Sequence, residues 1–325
     1  MSTADELSEL LKENKGKYIS GQFAAEKLSV SRTAIWKAVN TLRKAGYEID
    51  AVTNRGYMLS GNGAPLTSSD FGSKIKHPLV RAKYIRQVTS TNDLVKKAAL
   101  DGEKEGLVII SSNQTKGRGR MGRNFFSPLD KGIYFSILLR PNLSPEDSLL
   151  ITTCLAVCVA DSIEKNSGRE TKIKWVNDIN ISSKKCCGIL TEGAMDIESG
   201  RLSYAVAGIG INLFEPDGGF PDELKDKACA VYPYGKAKGS EAENIVSDIV
   251  DEFFDYYPDL TKKEFLKKYR DKSDVIGEDI FVIRDSSKRK AKATGIGDDF
   301  SLFVRYEDGT EEKLRSGEIS IRKIG

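Results

Sequence analysis

The apolar pattern of the first sixty residues constrains the fold most, because it allows three short helices and one hairpin and little else. Ser20 and Ser31 stand where each could cap a helix, and the third helix is predicted over Arg32–Lys44. Strands are predicted at Ile49–Val52 and Gly56–Leu59, joined by a turn at 53–55. The inward residues are expected to be Leu7, Leu10 and Leu11 in the first helix, Phe23, Ala24 and Leu28 in the second, and Ile35, Val39 and Leu42 in the third. Residues 1–63 are therefore predicted to form a winged helix-turn-helix domain, which ends in a polar, glycine-rich linker at 60–65.

The third helix is basic, since it carries Arg32, Lys37, Arg43 and Lys44 and no acidic residue. A helix of this kind can lie in the major groove of DNA, where its side chains reach base edges and phosphates. The predicted DNA-contacting residues are Ser31, Arg32, Thr33, Trp36, Lys37 and Asn40, with Arg55 at the wing tip. The alternatives are a solvated basic helix in a protein-binding module and a Trp36 that packs against the wing.

The composition restricts where the chemistry can come from. The only histidine, His77, precedes a proline, and the five cysteines have no regular spacing, so a zinc site, a Ser–His–Asp triad and a disulfide framework are all disfavoured. The net charge of +3 gives no global attraction to nucleic acid. No apolar run reaches the roughly 18 residues of a membrane span, so a cytoplasmic protein with no membrane partner is expected. Lysine, arginine, aspartate, asparagine and backbone N–H groups must then carry any reaction.

Residues 64–270 mix strands and helices without regular alternation, which predicts an α+β domain rather than a doubly wound sheet. The predicted strands are Leu107–Ser111, Gly132–Leu139 and 204–211, and the predicted helices are 149–164 and 242–256. Residues 271–325 contain short strands separated by glycine turns and predict a small β-barrel. Its strands are expected at Asp279–Arg284, 290–296, Leu302–Tyr306 and Glu311–Leu314.

A glycine- and arginine-rich loop follows the predicted strand Leu107–Ser111. Its cations are Lys116, Arg118, Arg120 and Arg123, and its glycines are Gly117, Gly119 and Gly122. Glycines let the backbone approach a ligand, and arginine side chains match carboxylate and phosphate oxygens, so the loop predicts an anion-binding cradle. It lacks the P-loop pattern. The alternative is a flexible nucleic-acid contact.

Two further elements carry candidate polar groups. The run Lys174, Trp175, Val176, Asn177 and Asp178 is predicted to be a strand and a tight turn that leads into a second strand, with Lys185 just before the apolar stretch that follows. Carboxylate and amide oxygens suit a Mg²⁺–phosphate, and a fixed ammonium can stabilise charge on a carboxylate–phosphate adduct. An Asx turn and a solvated lysine are the alternatives. Gly208 and Gly210 alternate with branched residues before Asn212, which predicts a strand face that a ligand approaches closely.

In this order, the motifs resemble those of the bacterial biotin–protein ligases that also repress the biotin operon. The matching pieces are Ser90, Thr91 and Asn92, the 117–123 loop, the 174–178 run, Lys185 with Gly188, Gly208, Gly210 and Asn212, and the 316–320 run Ser-Gly-Glu-Ile-Ser. The resemblance spans essentially the whole chain. It implies a winged helix, a catalytic domain similar to class II aminoacyl-tRNA synthetases and an SH3-like barrel.

The resemblance also implies roles for individual residues. The residues expected to bind biotin are Ser90, Thr91, Asn92 and Gln114 at its ureido end, Gly117, Arg118, Arg120 and Lys185 at its carboxylate, and Tyr134, Gly188 and Gly208 along the pocket. The residues expected to serve ATP and its Mg²⁺ are Arg118, Arg120, Arg123, Lys174, Asn177, Asp178, Asn212 and Arg322. Lys185, Arg120 and Asp178 are the implied catalytic residues, and Asp178 is also implied to orient or deprotonate the incoming amine.

The implied activity has two steps. Biotin and MgATP give biotinyl-5'-AMP, and the biotin then passes to a specific lysine of a biotin carboxyl carrier protein, in acetyl-CoA carboxylase and other carboxylases. Biotin is thus both a substrate and the precursor of a co-repressor. The resemblance implies that the adenylate orders the 116–123 loop and that the resulting homodimer binds operator DNA.

Three positions depart from the family pattern. Val176 stands where proline is common, Met121 stands where some relatives have a basic residue, and residues 213–232 contain no tryptophan to stack on adenine, so Phe220 or Ala228 is expected there. Three other functions stay open: an anion-sensing regulator without catalysis, a ligase for lipoate or octanoate, and a biotin ligase whose winged helix no longer binds an operator.

Overall fold

The computed structural model describes residues 2–14, 16–44, 47–60, 66–232, 240–284 and 287–315, together with the backbone of 319–323. The chain divides into two compact units. The smaller contains Met1–Thr67 with 236–241, and the larger contains Ser68–Gly235 and 242–325. The predicted linker glycines at 61 and 63 lie outside the described residues. The three-domain boundaries inferred from the sequence stay a prediction.

The small unit has three helices and a hairpin: α1 Thr3–Glu13, α2 Gly21–Lys27, α3 Arg32–Lys44, β1 Ile49–Val52 and β2 Gly56–Leu59. The Ser20 hydroxyl caps α2 by accepting the Phe23 N–H at 3.0 Å. The apolar faces of the helices enclose one core, as the spacing predicts. Phe23 was expected inside this core, but it is 47% exposed, because the two-turn helix α2 buries Ala24 and Ala25 instead.

The large unit is built on a mixed seven-stranded sheet. The strands of this part of the chain are β3 Arg81–Tyr84, β4 Gln87–Val88, β5 Leu107–Ser111, β6 Asn113–Gln114, β7 Gly132–Leu139, β8 Lys172–Lys174, β9 Asp178–Ile181, β10 Lys184–Met195 and β11 Leu202–Asn212. The order across the sheet is β3-β5-β7-β11-β10-β9-β8, while β4 pairs with β6. Strands β3 and β5 run parallel, and the other described neighbours in the large sheet run antiparallel. This arrangement confirms the α+β class.

Among the residues that the structure describes, five α-helices accompany the sheet: α4 Ser68–Lys74, α5 Thr91–Leu100, α6 Leu149–Ser167, α7 Glu241–Tyr256 and α8 Leu266–Asp271. Helix α6 is buried along most of its length and ends at Gly168, whose positive φ of 69° suits a glycine cap. It continues past the predicted end at residue 164 because no helix breaker precedes that glycine. The buried helix packs against β8, β9 and β10, the strands that carry the lysine motifs.

The C-terminal strands form a separate five-stranded antiparallel sheet, as predicted for an SH3-like barrel. They are β12 Asp279–Arg284, β13 Ser287–Ile296, β14 Leu302–Tyr306, β15 Glu311–Leu314 and β16 Ile319–Lys323. Strand β13 begins earlier than predicted, because its pairing with β12 continues to the register pair of residues 284 and 287. The Trp175 indole N–H donates to the Phe300 carbonyl at 2.8 Å, and the Tyr269 hydroxyl donates to the Val176 carbonyl at 3.1 Å. The first bond links the barrel to the turn before β9, and the second links helix α8 to the same turn.

Candidate active site

A cavity of about 840 Å³ lies over the face of the large sheet, against the arginine-rich loop. A cavity of this volume can hold a nucleotide-sized ligand. Most residues expected to bind biotin or ATP line it: Ser90, Thr91, Asn92, Gln114, Arg118, Arg120, Arg123, Lys174, Asn177, Asp178, Lys185, Gly188, Gly208 and Asn212. Segments that are far apart in the sequence therefore meet at one site.

Two expected site residues that the structure describes, Tyr134 and Gly117, are not among those that line the cavity. Tyr134 is only 1% exposed and packs edge-on against Phe125, so it supports the wall from behind. Gly117 also lies behind the wall, where an added Cβ would approach the Phe125 carbonyl oxygen to 2.7 Å. Arg322 belongs to β16, but its side chain lies outside the described residues, as do residues 316–318 of the expected motif.

The charged centre of the cavity is an ion pair between two neighbouring strands. Lys185 Nζ donates to Asp178 Oδ1 at 2.6 Å, and both side chains are partly buried. Gly188 leaves room for the lysine, because a Cβ there would lie 2.8 Å from the ammonium nitrogen. The lysine was expected just before its strand and lies instead inside β10, where pairing with β9 fixes its direction. An ammonium held in this way can stabilise negative charge on a ligand.

Arg120 joins the same centre from the loop. Its guanidinium donates to Asn177 Oδ1 at 3.0 Å, and the Asn177 amide donates in turn to the Ile189 carbonyl at 2.7 Å. Burial lowers the pKa of Arg120 below its ordinary value. The negative charge of Asp178 acts in the opposite direction but only partly offsets this effect. The turn expected at Asn177 and Asp178 occupies residues 175–177, and the peptide bond between residues 175 and 176 is cis. Asp178 itself begins β9, which directs it towards the lysine.

The loop is more regular than its composition predicts. Arg118 and Asn124 form an isolated bridge, and a short 3-10 turn, Arg120–Gly122, closes the end of the loop. The Arg118 guanidinium contacts the carboxylates of Asp93 and Glu192. Glu192 was not identified from the sequence, because a single glutamate inside a strand carries no motif. In the structure this residue links the loop to the sheet.

The residues expected to bind the ureido end of biotin form a connected polar cluster at the start of α5. Ser90 caps the helix by accepting the Asp93 N–H at 3.4 Å. The Thr91 N–H donates to Gln114 Oε1 at 2.8 Å, and Ser136 Oγ lies 2.7 Å from Thr91 Oγ1. Ser136 was not identified either; its only signal is a polar residue inside the apolar strand β7. The cluster offers donors and acceptors for a compact polar ring.

The glycines of β10 and β11 accommodate side chains of the protein itself. A Cβ on Gly210 would lie 2.9 Å from the Phe125 ring, and a Cβ on Gly188 would lie 3.1 Å from it. A Cβ on Gly208 would lie 2.0 Å from Asn92 Oδ1. Phe125 thus covers the glycine surface that was expected to meet a ligand directly. The sequence feature that could have indicated this contact is the aromatic pair Phe125 and Phe126, which follows the loop after Asn124.

Apolar and amide groups also line the cavity. Phe220 and Ala228, which were expected near the base, both line it, together with Trp175 and Ile283. The Asn212 amide donates to the Cys229 carbonyl at 3.2 Å, which leaves its Oδ1 as an acceptor. Among the residues that the structure describes, no group of three or more His, Cys, Asp or Glu side chains could hold a metal ion.

The small unit presents a second candidate surface on α3 and the wing. The Ser31 hydroxyl accepts the Ala34 N–H at 3.1 Å and so caps the helix. All seven predicted contacts are solvent-exposed or partly so: Ser31, Arg32, Thr33, Trp36, Lys37, Asn40 and Arg55. Trp36 is 58% exposed, which disfavours the alternative that it packs against the wing. The Arg55 guanidinium lies 5.1 Å from the centre of the Tyr18 ring.

The two units match two different family models. Residues 4–58 match the HTH domain, and residues 84–212 match the biotin/lipoate A/B protein ligase family. Within the described residues, no helix is long and apolar enough to cross a membrane.

Similar proteins are known for nearly the whole chain. It is 33% identical over 323 residues to the bifunctional ligase/repressor BirA of Bacillus subtilis (strain 168), covering 97% of this chain and 98% of the relative. The bifunctional ligase/repressor BirA of Escherichia coli (strain K12) is 30% identical over 201 residues, which cover 61% of this chain and 60% of the relative. The biotin protein ligase from Aquifex aeolicus in complex with biotin and ATP has a TM-score of 0.61 and 25% identity, over 75% of this chain and 99% of that one. With a helix-turn-helix unit, a ligase unit and this full-length similarity, the chain belongs to the family of bifunctional biotin ligase/repressor proteins.

Proposed function

We propose that the cavity joins biotin to ATP as biotinyl-5'-AMP and then passes the biotin to one lysine of a biotin carboxyl carrier protein. The observation that carries the proposal is the Lys185–Asp178 pair, which lies in the same cavity as the polar cluster at Thr91 and the cationic loop. A single extended ligand could contact all three.

In the first step, a carboxylate oxygen of biotin attacks the α-phosphorus of ATP, and pyrophosphate leaves. Lys185 and Arg120 both line the cavity and would neutralise the carboxylate and the phosphate as these approach each other. The polar cluster would hold the ring end of biotin and so fix the position of its carboxylate. Because the reaction forms no bond to the protein, it needs neither a nucleophilic side chain nor a histidine.

In the second step, the acceptor lysine attacks the carbonyl carbon of the mixed anhydride, and AMP leaves. Asp178 is the carboxylate of the centre and would orient the incoming amine and take its proton. In the described structure its Oδ1 contacts Lys185 Nζ at 2.6 Å. One oxygen can thus hold the lysine while the other faces the amine.

A magnesium ion that accompanies ATP would meet suitable oxygen donors here. Asp178 provides a carboxylate, and Asn212 provides an amide oxygen that is free to accept because its nitrogen donates to a backbone carbonyl. When bound, the ion neutralises phosphate charge. The small number of acidic groups at the site suits an ion that arrives with the nucleotide.

The test incubates the protein with labelled biotin, MgATP and a carrier domain. Label should appear on a single lysine of the carrier, and Lys185→Ala or Arg120→Ala should abolish most of it. Lys83→Ala, which removes an exposed lysine of β3, serves as the control and should retain full transfer. Transfer by the Lys185 and Arg120 variants at the wild-type rate would contradict the proposal.

Two measurements separate the other candidate functions. An anion sensor without catalysis would bind biotin but release no pyrophosphate from ATP. A lipoate or octanoate ligase would transfer those acids, and lipoate would compete with biotin for the cavity. Both functions are disfavoured by the combination of the polar cluster, the cationic loop and the Lys185–Asp178 pair.

We also propose that the adenylate promotes self-association and thereby operator binding. The support is a basic exposed face on α3, a helix-turn-helix family match and relatives named as ligase and repressor. A dimer presents two such helices to a two-fold operator. Sedimentation with and without biotinyl-AMP should show tighter association with the ligand, and an unchanged association constant would exclude the coupling without affecting the ligase.

A further inference from the structure

We propose that Cys186 and Cys229 form a dithiol site that a peroxide oxidises to a disulfide, and that this disulfide links the 224–229 segment covalently to β10. All five cysteines of the chain are free thiols in the structure. The proposed ligase reaction uses none of them, so the site would act beside that reaction and does not depend on it.

The backbone brings the two cysteines next to each other. The Lys185 N–H donates to the Lys227 carbonyl at 2.8 Å, and the Cys229 N–H donates to the Lys185 carbonyl at 3.0 Å. This is the hydrogen-bond pattern of parallel strands, and it pairs Lys185 with Ala228. Cys186 and Cys229 are the residues that directly follow this pair on the two chains, so they are neighbours across it.

The positions of the two sulfurs agree with this pairing. Neighbouring strands lie about 4.8 Å apart, which falls within the range of about 4.4–6.8 Å between the Cα atoms of a disulfide. Cys186 Sγ lies 3.3 Å from the Ile179 carbonyl oxygen and Cys229 Sγ lies 3.7 Å from the Ile181 carbonyl oxygen, so both approach β9. Hydrogen bonding between the two thiols raises the pKa of Cys186 and lowers the pKa of Cys229. The two sulfurs are therefore in contact.

Exposure determines which sulfur reacts first. Cys229 is partly exposed, whereas Cys186 is fully buried. A small oxidant from solvent therefore reaches Cys229, and Cys186 lies beside it as the thiol that resolves the first product. Cys154, Cys158 and Cys187 are also fully buried, so the same oxidant should not reach them directly.

The reaction takes two steps, with hydrogen peroxide as the oxidant. The Cys229 sulfur attacks one peroxide oxygen, the O–O bond breaks, and the thiol proton leaves with the other oxygen as water, which gives a sulfenic acid. The Cys186 sulfur then attacks the Cys229 sulfur, the S–O bond breaks, and the hydroxyl leaves with the Cys186 proton as a second water. Two thiols thus lose two electrons to one peroxide and form one disulfide.

The disulfide would fix one wall of the cavity. The segment that it holds contributes four residues to the cavity lining: Leu224, Asp226, Lys227 and Ala228. The Cys229 carbonyl also accepts the Asn212 amide N–H at 3.2 Å, so the linked residue contacts β11 as well. A covalent link across the two backbone bonds of Lys185 opposes local opening of the segment.

The first experiment treats the dilute, folded chain with hydrogen peroxide, blocks the remaining thiols and maps the peptides by mass spectrometry. We expect one linked pair that joins Cys186 to Cys229 and that dithiothreitol reverses. Cys154 and Cys158 should stay reduced and serve as internal controls. Oxidation of Met195, which is 55% exposed, reports the peroxide dose that the chain received. Cys229→Ser should abolish the link and leave Cys186 as a thiol.

The second experiment measures amide hydrogen exchange of the same samples. In the oxidised wild type, exchange at the Lys185 and Cys229 amides should slow by about tenfold or more relative to the reduced protein, because the link opposes opening of the bonds that these amides make. Cys229→Ser treated in the same way is the matched control and should show no slowing. Amides of α3 in the small unit should exchange alike in all samples.

Three results would overturn the inference. The first is that both thiols persist at a peroxide dose that oxidises Met195. The second is that Cys229 is oxidised but ends as a sulfinic acid, or as a link to a cysteine other than Cys186. The third is a Cys186–Cys229 link that leaves exchange at the Lys185 and Cys229 amides unchanged, because the disulfide then does not hold the segment to β10.

Discussion

Replacement of Gly208 by alanine should strongly destabilise the large unit, although it adds only one methyl group. The added Cβ would lie 2.0 Å from Asn92 Oδ1 and 2.8 Å from Asn92 Cγ, far inside van der Waals contact. Gly208 sits in the middle of β11, paired with Ser136 on one side and Leu190 on the other, so the backbone has little freedom to withdraw. The Asn92 side chain must therefore leave its place.

The cost follows from what Asn92 loses. Its bonds to Ser136 at 2.6 Å and to Glu192 at 2.8 Å would break. A neutral hydrogen bond contributes about 1 kcal/mol and one to a charged group about 1.5–3 kcal/mol, of which we take the lower end because Glu192 stays partly in contact with water. Overpacking of a dense core adds about 1–3 kcal/mol, so the free energy of unfolding should fall by about 3.5–5.5 kcal/mol.

Urea unfolding followed by tryptophan fluorescence measures this change. Trp175 is buried in the large unit and Trp36 is 58% exposed in the small one, so the large unit dominates the signal. Gly72→Ala is the matched control, because it adds a Cβ to an exposed position of α4 with no heavy atom within 4 Å. It should stabilise the protein by up to about 1 kcal/mol, since alanine is the better helix former.

A double substitution tests the proposed cause. Asn92→Ala removes the atoms with which the new Cβ would collide, so adding Gly208→Ala to that variant should cost little further stability. The reasoning is refuted if Gly208→Ala alone unfolds within about 0.5 kcal/mol of the wild type, the range of a surface substitution. It is equally refuted if the two substitutions add fully.

Three further outcomes are expected. Lys185→Met should slow pyrophosphate release by about 100- to 1000-fold, because it removes the ammonium from the proposed reaction centre; an unchanged rate would exclude its catalytic role. Lys37→Ala should reduce the slope of log affinity against log salt for operator DNA by about one, measured by fluorescence anisotropy, if this exposed side chain contacts a phosphate; an unchanged slope would exclude that contact. Trp175→Phe should lower the free energy of unfolding in urea by about 1–3 kcal/mol, because the buried Phe300 carbonyl loses its donor; a stability equal to that of the wild type would contradict the importance of this link.

The elements of the fold were predictable where the local pattern alone decides them. Strands β1 and β2 were predicted with the bounds that the structure has, because a turn signal separates two short apolar runs. Helix α3 was predicted equally well from its cap and its period. The pairing order of the large sheet could not be predicted, since β7 lies beside β11 through contacts between residues distant in sequence. Phe23 was misplaced for a related reason, because the helix that carries it is too short for its period to decide which side faces the core.

The site was predictable as a set of chemical groups but not as a set of contacts. Glycines and arginines in one loop indicated an anion site, yet no pattern in the sequence indicated that Arg118 contacts two carboxylates of the protein. The repeated glycines indicated close approach to the strands, yet Phe125 and Asn92 are what approach them. Tyr134 was placed in the pocket by the family resemblance, and the alternation along β7 directs it behind Phe125 instead.

The carboxylate contacts of Arg118 connect the two ends of the proposed ligand. Glu192 holds Asn92 in the polar cluster and Arg118 in the loop with the same oxygen atom, Oε2. A phosphate or carboxylate that takes the place of Glu192 at Arg118 gains only the difference in free energy between two ion pairs. Once Arg118 turns to a ligand, that oxygen keeps its contact with Asn92, whose amide oxygen accepts from Ser136. The proposed binding of an anion by Arg118 therefore leaves the contact of Glu192 with the polar cluster in place.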